Sequence, residues 1–259
     1  MTFEHLIFKT EDAIATIQIN RPKALNALNS AVTAELREAL LQVQASPEIR
    51  AMIITGSEKA FVAGADIREM SDKGPRQARE FAVAAVEVNN LLESMPIPTI
   101  AAINGYTFGG GMELALACDF RVGGAATLLS FPEVGLGIMP GANGTARVTA
   151  LVGPAKAKVL IMLCKKLSGR EALDWGLLDI FAEDGTVYES AVELARDLVR
   201  QPRCALAAAK KVINTAALQT IEAGKGLEGD EFALLFDTQD QKEGMAAFME
   251  RRKPVYIGR

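Results

Sequence analysis

The chain has 259 residues, 49% hydrophobic and 23% charged, a usage typical of folded globular proteins that excludes both a disulfide-stapled miniprotein and a disordered chain. Its length supports one large core, or a core with a small appended subdomain. Lys and Arg total 28 against 32 Asp and Glu, a formal net charge of −4, so nucleic acid is not an expected partner.

Cys118, Cys164 and Cys204 are far apart and form no CxxC pair, which predicts reduced buried thiols rather than disulfides or a zinc site. The start, MTFEHLIFK, has neither the basic-then-apolar pattern of a secretory signal nor the Arg/Ser-rich character of an organelle presequence, so the expected address is cytoplasmic. The apolar region from Ile97 to Ala117 is interrupted by Asn104, a glycine cluster and Glu113, and no membrane span is expected.

In chain order, Ile14, Thr16, Ile17 and Ile19 predict a strand that ends at the turn Asn20-Arg21-Pro22. Asn29-Ser30 caps a predicted helix from Ala31 to Gln44, with Val32, Leu36, Leu40 and Val43 on one stripe. A strand from Ala51 to Thr55 leads into Gly56 and the loop Phe61-Val62-Ala63-Gly64-Ala65-Asp66-Ile67. A helix over Arg76 to Leu92 stops before Pro96 and Pro98. Ile100 to Ile103 reads as a buried strand, followed by a glycine loop (Gly105, then Gly109 to Gly111) and a helix from Met112 to Ala117. A short strand at Phe120 to Val122, a Gly/Pro-rich stretch from Pro132 to Gly144, and helices at Ala146 to Leu151 and Ala155 to Leu163 follow. From Glu189 onward the pattern is mostly helical, with no fixed-period repeat. Strands alternating with helices predict an α/β core over residues 1–190 and a helical region over 191–259.

Several chemistries are missing. The glycines make no GxGxxG, since Pro140 stands where the run from Gly135 and Gly137 needs its third glycine, and no Gly-Lys-Ser/Thr follows a glycine loop. The one histidine, His5, and the lack of GxSxG leave no Ser-His hydrolase, and one histidine without clustered cysteines makes a transition-metal site unexpected. Carboxylates and backbone dipoles remain. Glu113, at the start of an apolar helix, and Glu133, in Phe-Pro-Glu-Val-Gly-Leu-Gly, are isolated acids in apolar glycine-rich surroundings. Taken singly, Glu113 could merely complement the helix dipole and Glu133 could be a loop acid. Together they suit paired acid/base work, because desolvation lifts a carboxyl pKa toward neutral pH. Glycine at a helix start exposes unpaired N–H groups, so Gly110 could bind a developing oxyanion with a second donor from the Ala63-Gly64-Ala65-Asp66 loop. Tight turns that need small residues are the alternative for both loops.

Three ordered motifs resemble the crotonase superfamily, most closely an enoyl-CoA hydratase: Phe61 to Ile67; Ala102-Ile103-Asn104-Gly105-Tyr106-Thr107-Phe108-Gly109-Gly110-Gly111-Met112-Glu113; and Pro132-Glu133 followed by Gly-Leu-Gly-Ile-Met-Pro-Gly. The likeness runs from Arg21-Pro22-Lys23-Ala24-Leu25-Asn26-Ala27-Leu28 to Lys242-Glu243-Gly244-Met245 and Phe248. It implies an α/β spiral of ββα repeats and a helical C-terminal region for trimerisation, with trimers often paired into hexamers. By the same resemblance, Ala65 and Gly110 would hold the thioester oxygen and Glu113 and Glu133 would be the catalytic acids. Lys23, Ala24, Leu25, Ala27, Ala63, Asp66 and Ile67 would contact coenzyme A, with Gly109 and Pro132 lining the substrate site. Gly141 would lie beside the reacting water and Arg251 near a CoA phosphate. Asn143 departs from the family pattern, where glycine is usual.

The implied reaction is reversible hydration of a trans-2-enoyl-CoA to a 3-hydroxyacyl-CoA, a β-oxidation step of fatty acid metabolism. It needs no metal or redox cofactor, because CoA arrives as part of the substrate. The alternatives are a Δ3-Δ2 enoyl-CoA isomerase, another acyl-CoA lyase of this fold, and a non-enzymatic acyl-CoA- or RNA-binding module. Two acids favour hydration over isomerisation, and the acidic balance disfavours RNA. Met70, Phe81, Val134, Leu136 and Trp175 are candidates for the acyl pocket wall, each also readable as ordinary core.

Overall fold

Every second residue of the central strands is apolar toward one face and its neighbours are apolar toward the other, so the sheet they form must be covered on both sides. The computed structural model describes residues 3–219, 230, 232 and 234–259. Strands β1 (Leu6–Glu11) and β2 (Ile14–Ile19) form an antiparallel hairpin, and β2 continues in parallel into β3 (Ala51–Thr55), β5 (Thr99–Ile103), β7 (Phe120–Gly123) and β10 (Ile180–Phe181). The intervening strands β4 (Ala60–Val62), β6 (Tyr106–Phe108) and β8 (Leu128–Ser130) pair in parallel in a second sheet, which β9 (Leu167–Ser168) closes in antiparallel fashion. The three middle turns, β3–β4, β5–β6 and β7–β8, therefore each give one strand to each sheet before the chain goes on to a helix, and this is the spiral of ββα turns that the resemblance implies.

The helices are α1 (Ser30–Ala45), α2 (Ile67–Met70), α3 (Pro75–Ser94), α4 (Gly110–Leu116), α5 (Gly144–Met162), α6 (Gly169–Asp174), α7 (Val187–Val199), α8 (Arg203–Leu218) and α9 (Gln239–Glu250), with 3-10 turns at Pro22–Ala24 and Glu133–Leu136. Asn29 caps α1, its side chain accepting the Val32 N–H at 2.9 Å. The two helices read at Ala146 and Ala155 are the halves of α5, broken at Gly153 (φ 77°) before Pro154.

Met52, Ile54, Ala101 and Ile103 face the main core beneath α1 and α3, while Ala51, Ile53, Ile100 and Ala102 face a second core under Val187, Ala191 and Ala195 of α7. Residue 190 thus falls inside a helix that covers the sheet, and the packing of the spiral extends at least through α7. Of the C-terminal region expected to be helical, residues 220–229, 231 and 233 lie outside the described residues. Cys118 is buried as expected, but Cys164 and Cys204 are only half-buried, and all three are free. No helix among the described residues is long and apolar enough to cross a membrane.

Candidate active site

The site forms where the second sheet meets α4. Strand β4 ends at Val62, and α4 starts so close to it that a Cβ on Gly111 would stand 2.2 Å from the Val62 carbonyl oxygen. Gly111 is therefore required by close approach, and it brings the start of α4 against the loop that leaves β4. In that loop Leu28 N–H donates to the Gly64 carbonyl at 2.8 Å and Asp66 N–H to the Leu28 carbonyl at 2.7 Å. This parallel bridge uses the groups on either side of Ala65 and turns the N–H of Ala65 the other way. A side chain on Gly110 would begin 3.6 Å from the Ala65 nitrogen, so the two amides are neighbours. Gly110 is the first residue of α4 and its N–H has no intrahelical acceptor. Among the described residues, neither N–H is taken by a protein acceptor.

Glu113, one turn into α4, is 4% exposed. Its Oε1 accepts the Ala142 N–H at 2.7 Å and the Gly144 N–H at 2.9 Å. Asn143, between those donors, has left-handed backbone (φ 70°), which asparagine adopts more readily than most residues, so the departure from glycine keeps the turn. Gly144 has no such latitude, because a Cβ there would lie 2.8 Å from Glu113 Oε1 and 2.9 Å from the Phe131 ring. Glu133 opens the 3-10 turn and is 8% exposed, a buried acid rather than an exposed loop residue. Gly109 separates the two acids: its carbonyl accepts the Glu113 N–H at 2.9 Å, and a Cβ on it would meet Glu133 Oε1 at 2.6 Å.

The acids differ electrostatically. Burial raises the Glu113 pKa, but the Gly144 and Ala142 N–H groups and the Arg147 charge oppose the rise by favouring the carboxylate. Burial also raises Glu133, and the nearby Glu113 charge adds to the effect, bringing it to about 7. Its Oε2 is buried with no hydrogen-bond partner. The two acids are thus unequal, Glu113 raised against two N–H groups and a cation that favour its carboxylate and Glu133 raised to near neutrality, the kind of pairing that acid/base chemistry near pH 7 uses.

The residues expected to touch CoA form one edge beside this site. Lys23 and Ala24 lie in the 3-10 turn Pro22–Ala24, and Leu25 follows in left-handed conformation. Ala63 N–H donates to the Leu25 carbonyl at 3.1 Å. Arg21 Nη1 donates to the Ala27 carbonyl at 2.9 Å and pairs with Asp66 at 2.8 Å, which holds Asp66 below its usual carboxylate range. Asp66 caps α2, whose first residue, Ile67, is exposed. Pro132 is half-buried next to Glu133, and Gly141 is exposed at the mouth of the Glu113 loop. Arg251 stands apart, exposed just after α9, with no hydrogen bond or ion pair among the described residues linking it to this edge. Of the pocket-wall candidates, Val134 and Leu136 are exposed rather than core, Met70 and Phe81 are half-buried, and Trp175 packs against the main core.

The sequence reading missed three buried polar residues. Asn26 donates from Nδ2 to the carbonyls of Ala60 (2.9 Å) and Phe61 (3.3 Å), pinning this edge to β4. Asn89 and Arg147 both donate to the Ala142 carbonyl. A signal was available at Asn89-Asn90, two poor helix formers inside a predicted helix, which lasts only if the side chains have partners.

The family model for enoyl-CoA hydratase/isomerase matches residues 9–259. A crotonyl-CoA hydratase of Syntrophomonas wolfei is 40% identical over the full length of both chains. A short-chain-enoyl-CoA hydratase of Clostridium acetobutylicum is 39% identical, covering 98% of this chain and 97% of its own. The crystal structure of an enoyl-CoA hydratase from Bacillus anthracis superposes with a TM-score of 0.94 at 34% identity, over 99% of this chain and all of the other. The α/β spiral, the paired buried acids and these full-length likenesses agree: the chain belongs to the enoyl-CoA hydratase/isomerase family.

Proposed function

We propose that the chain is an enoyl-CoA hydratase, which adds water reversibly across the double bond of a trans-2-enoyl-CoA to give a 3-hydroxyacyl-CoA, and that Glu113 and Glu133 carry the proton transfers. The observation behind this reading is the unequal setting of the two buried acids beside a pair of untaken backbone N–H groups. The N–H groups of Ala65 and Gly110 bind the thioester oxygen and stabilise the enolate that forms when C3 is attacked. The Glu113 carboxylate takes a proton from water as its oxygen bonds to C3. Glu133, protonated, delivers its proton to C2. One proton enters Glu113 and one leaves Glu133, and exchange with solvent resets the pair.

These steps use side chains and backbone alone, so no metal or redox cofactor is needed, and CoA enters within the substrate. Lys23 to Ala27, Ala63, Asp66 and Ile67 form the edge for the CoA portion. Crotonyl-CoA is the first thioester to test, since one relative is named for it and another for short-chain enoyl-CoA. In oxygen-18 water the product should carry label at C3, with loss of the conjugated-enoyl absorbance. Conversion of 3-enoyl-CoA to 2-enoyl-CoA without label, across a panel of acyl chains, would replace hydratase by isomerase within the same family.

A homotrimer or homohexamer fits this reading, and the exposed Met139, Met162 and Leu163 supply apolar surface for assembly to cover. Light scattering should give three or six times the protomer mass. Three free thiols fit a reducing, cytoplasmic setting.

A further inference from the structure

The two donors to Glu113 sit on either side of one peptide unit, that between Ala142 and Asn143, and this unit is itself gripped. Asn89 of α3, 3% exposed, donates from Nδ2 to the Ala142 carbonyl at 3.0 Å. Arg147 of α5, 6% exposed, donates to the same oxygen from Nη1 at 3.2 Å. The other end of the guanidinium bonds Glu93 at 2.7 Å and Asn90 Oδ1 at 3.1 Å, both on α3, so its charge is neutralised and its fork held. Ala142 thus has its carbonyl fixed by two side chains and its N–H on Glu113 Oε1.

We propose that Asn89 and Arg147 are positioning residues for hydration, clamping the Ala142 carbonyl so that the Ala142 and Gly144 N–H groups stay aimed at Glu113. The proposal rests on the hydratase reading, with Glu113 as the group that takes the proton from water. A loop held only by its ends would let the two N–H groups swing, and a carboxylate that loses a donor binds its proton more tightly. No local pattern reveals the clamp as such, because Asn89 of α3 and Arg147 of α5 meet at the Ala142 carbonyl only in the folded chain. Among the described residues, the charged groups facing Glu113 are Glu133 from the 3-10 turn and Arg147 from α5, with Glu93 of α3 behind Arg147. Asn89 is neutral, so its removal changes hydrogen bonding at the loop without changing charge.

The test uses the full chain with Asn89→Leu and Arg147→Lys, the latter keeping the charge but losing the fork. Hydration of crotonyl-CoA is followed from pH 5 to 9, and titration with unreactive butyryl-CoA counts folded binding sites. Asn89→Leu should lower kcat per folded site about tenfold and leave KM within about twofold. It should also move the acid limb of the kcat profile up by about one pH unit, the size set by one lost hydrogen bond to a charged group. Arg147→Lys should fall between Asn89→Leu and the parent, and should report the same shift if Asn89→Leu does not fold. Unshifted limbs, with activity following only the number of folded sites, would overturn the proposal while a dead Glu113→Gln left the hydratase reading standing. Full hydration by Glu113→Gln would overturn both.

Discussion

At Glu133, burial, the neighbouring Glu113 charge and an unpartnered Oε2 all favour the protonated acid, and the pKa near 7 follows from them. The ordinary glutamate value is 4.5. Since the folded value is the higher one, the fold bears no ionisation cost below about 4.5; the cost grows through 4.5 to 7 and is complete above 7. Glu133→Gln removes an ionisable group but little volume. Thermal melts should therefore show the variant close to the parent at pH 4.5 and more stable at pH 8, by about 2–4 °C for each kcal/mol relieved. The same variant should lose at least about 10²-fold in hydration turnover, because an amide cannot deliver the proton to C2. Its residual activity should lack the basic limb near pH 7. A variant no more stable than the parent at pH 8 would mean that Glu133 is not desolvated in the folded protein. Both acids were legible in the sequence, because an isolated carboxylate in a glycine-rich apolar segment has no surface role to fill. Asn26 and Arg147 were not, because each acts on a carbonyl brought close by folding and nothing in their own segments distinguishes a buried amide or guanidinium from a solvated one; at Asn89 the Asn-Asn pair inside a helix flags a partnered side chain but not the Ala142 carbonyl it meets.

At the scale of the elements, α4 is set by three successive glycines that do different things. Gly109 has φ 50° and ψ −119°, the first central conformation of a type II′ turn, which achiral glycine takes at no steric cost. Gly110 opens α4 with room for a Cβ, whereas Gly111 has none. Gly110→Pro should thus fold, since proline suits the first helical position, and should lose about 10²–10³ in kcat with its N–H. Gly111→Ala should instead push α4 off β4 and lose stability and activity together. Circular dichroism melts alongside turnover separate the cases, and a stable Gly110→Pro of full activity would remove Gly110 from the oxyanion hole. The longer elements could be read from sequence because α1 carries enough residues to show a period, and Ile14–Ile19 and Ala51–Thr55 are apolar, β-branched runs long enough to read as strands. The second sheet could not be read that way. Its strands β4, β6 and β8 have three residues each, too few for any alternation. The repeat was equally hidden, because α3 has 20 residues and α4 has seven, so successive ββα turns share no fixed length.

Across the whole molecule, α8 is joined to the spiral at the end of α3. Lys210 of α8 reaches inward to pair with Asp119 at 2.8 Å and donates to the carbonyls of Leu92 and Ile97, both at 3.2 Å, while Asn214 Nδ2 donates to the Glu93 carbonyl at 3.1 Å. Asp119 in turn accepts the N–H and hydroxyl of Thr99, so one half-buried ion pair links α8, the end of α3, β5 and the start of β7. Burial raises the Asp119 pKa, and Lys210 is the main group opposing that rise. Lys210→Met keeps the aliphatic stem but strands Asp119 without its cation, which costs at most about 3–5 kcal/mol, the figure for a fully buried pair. The loss should be greatest at pH 8, where Asp119 must be charged, and should shrink as the pH falls and the now cation-free carboxyl takes up a proton. Lys210→Met/Asp119→Asn should recover much of the stability at pH 8, because an amide needs no counter-charge and still accepts from Thr99. Melting curves at pH 5 and pH 8 for both variants decide the matter. A loss of equal size at both pH values, unrelieved in the double variant, would place the stabilisation in the bonds from Lys210 to the Leu92 and Ile97 carbonyls. The joint would then be a cap on the end of α3 rather than an ion pair.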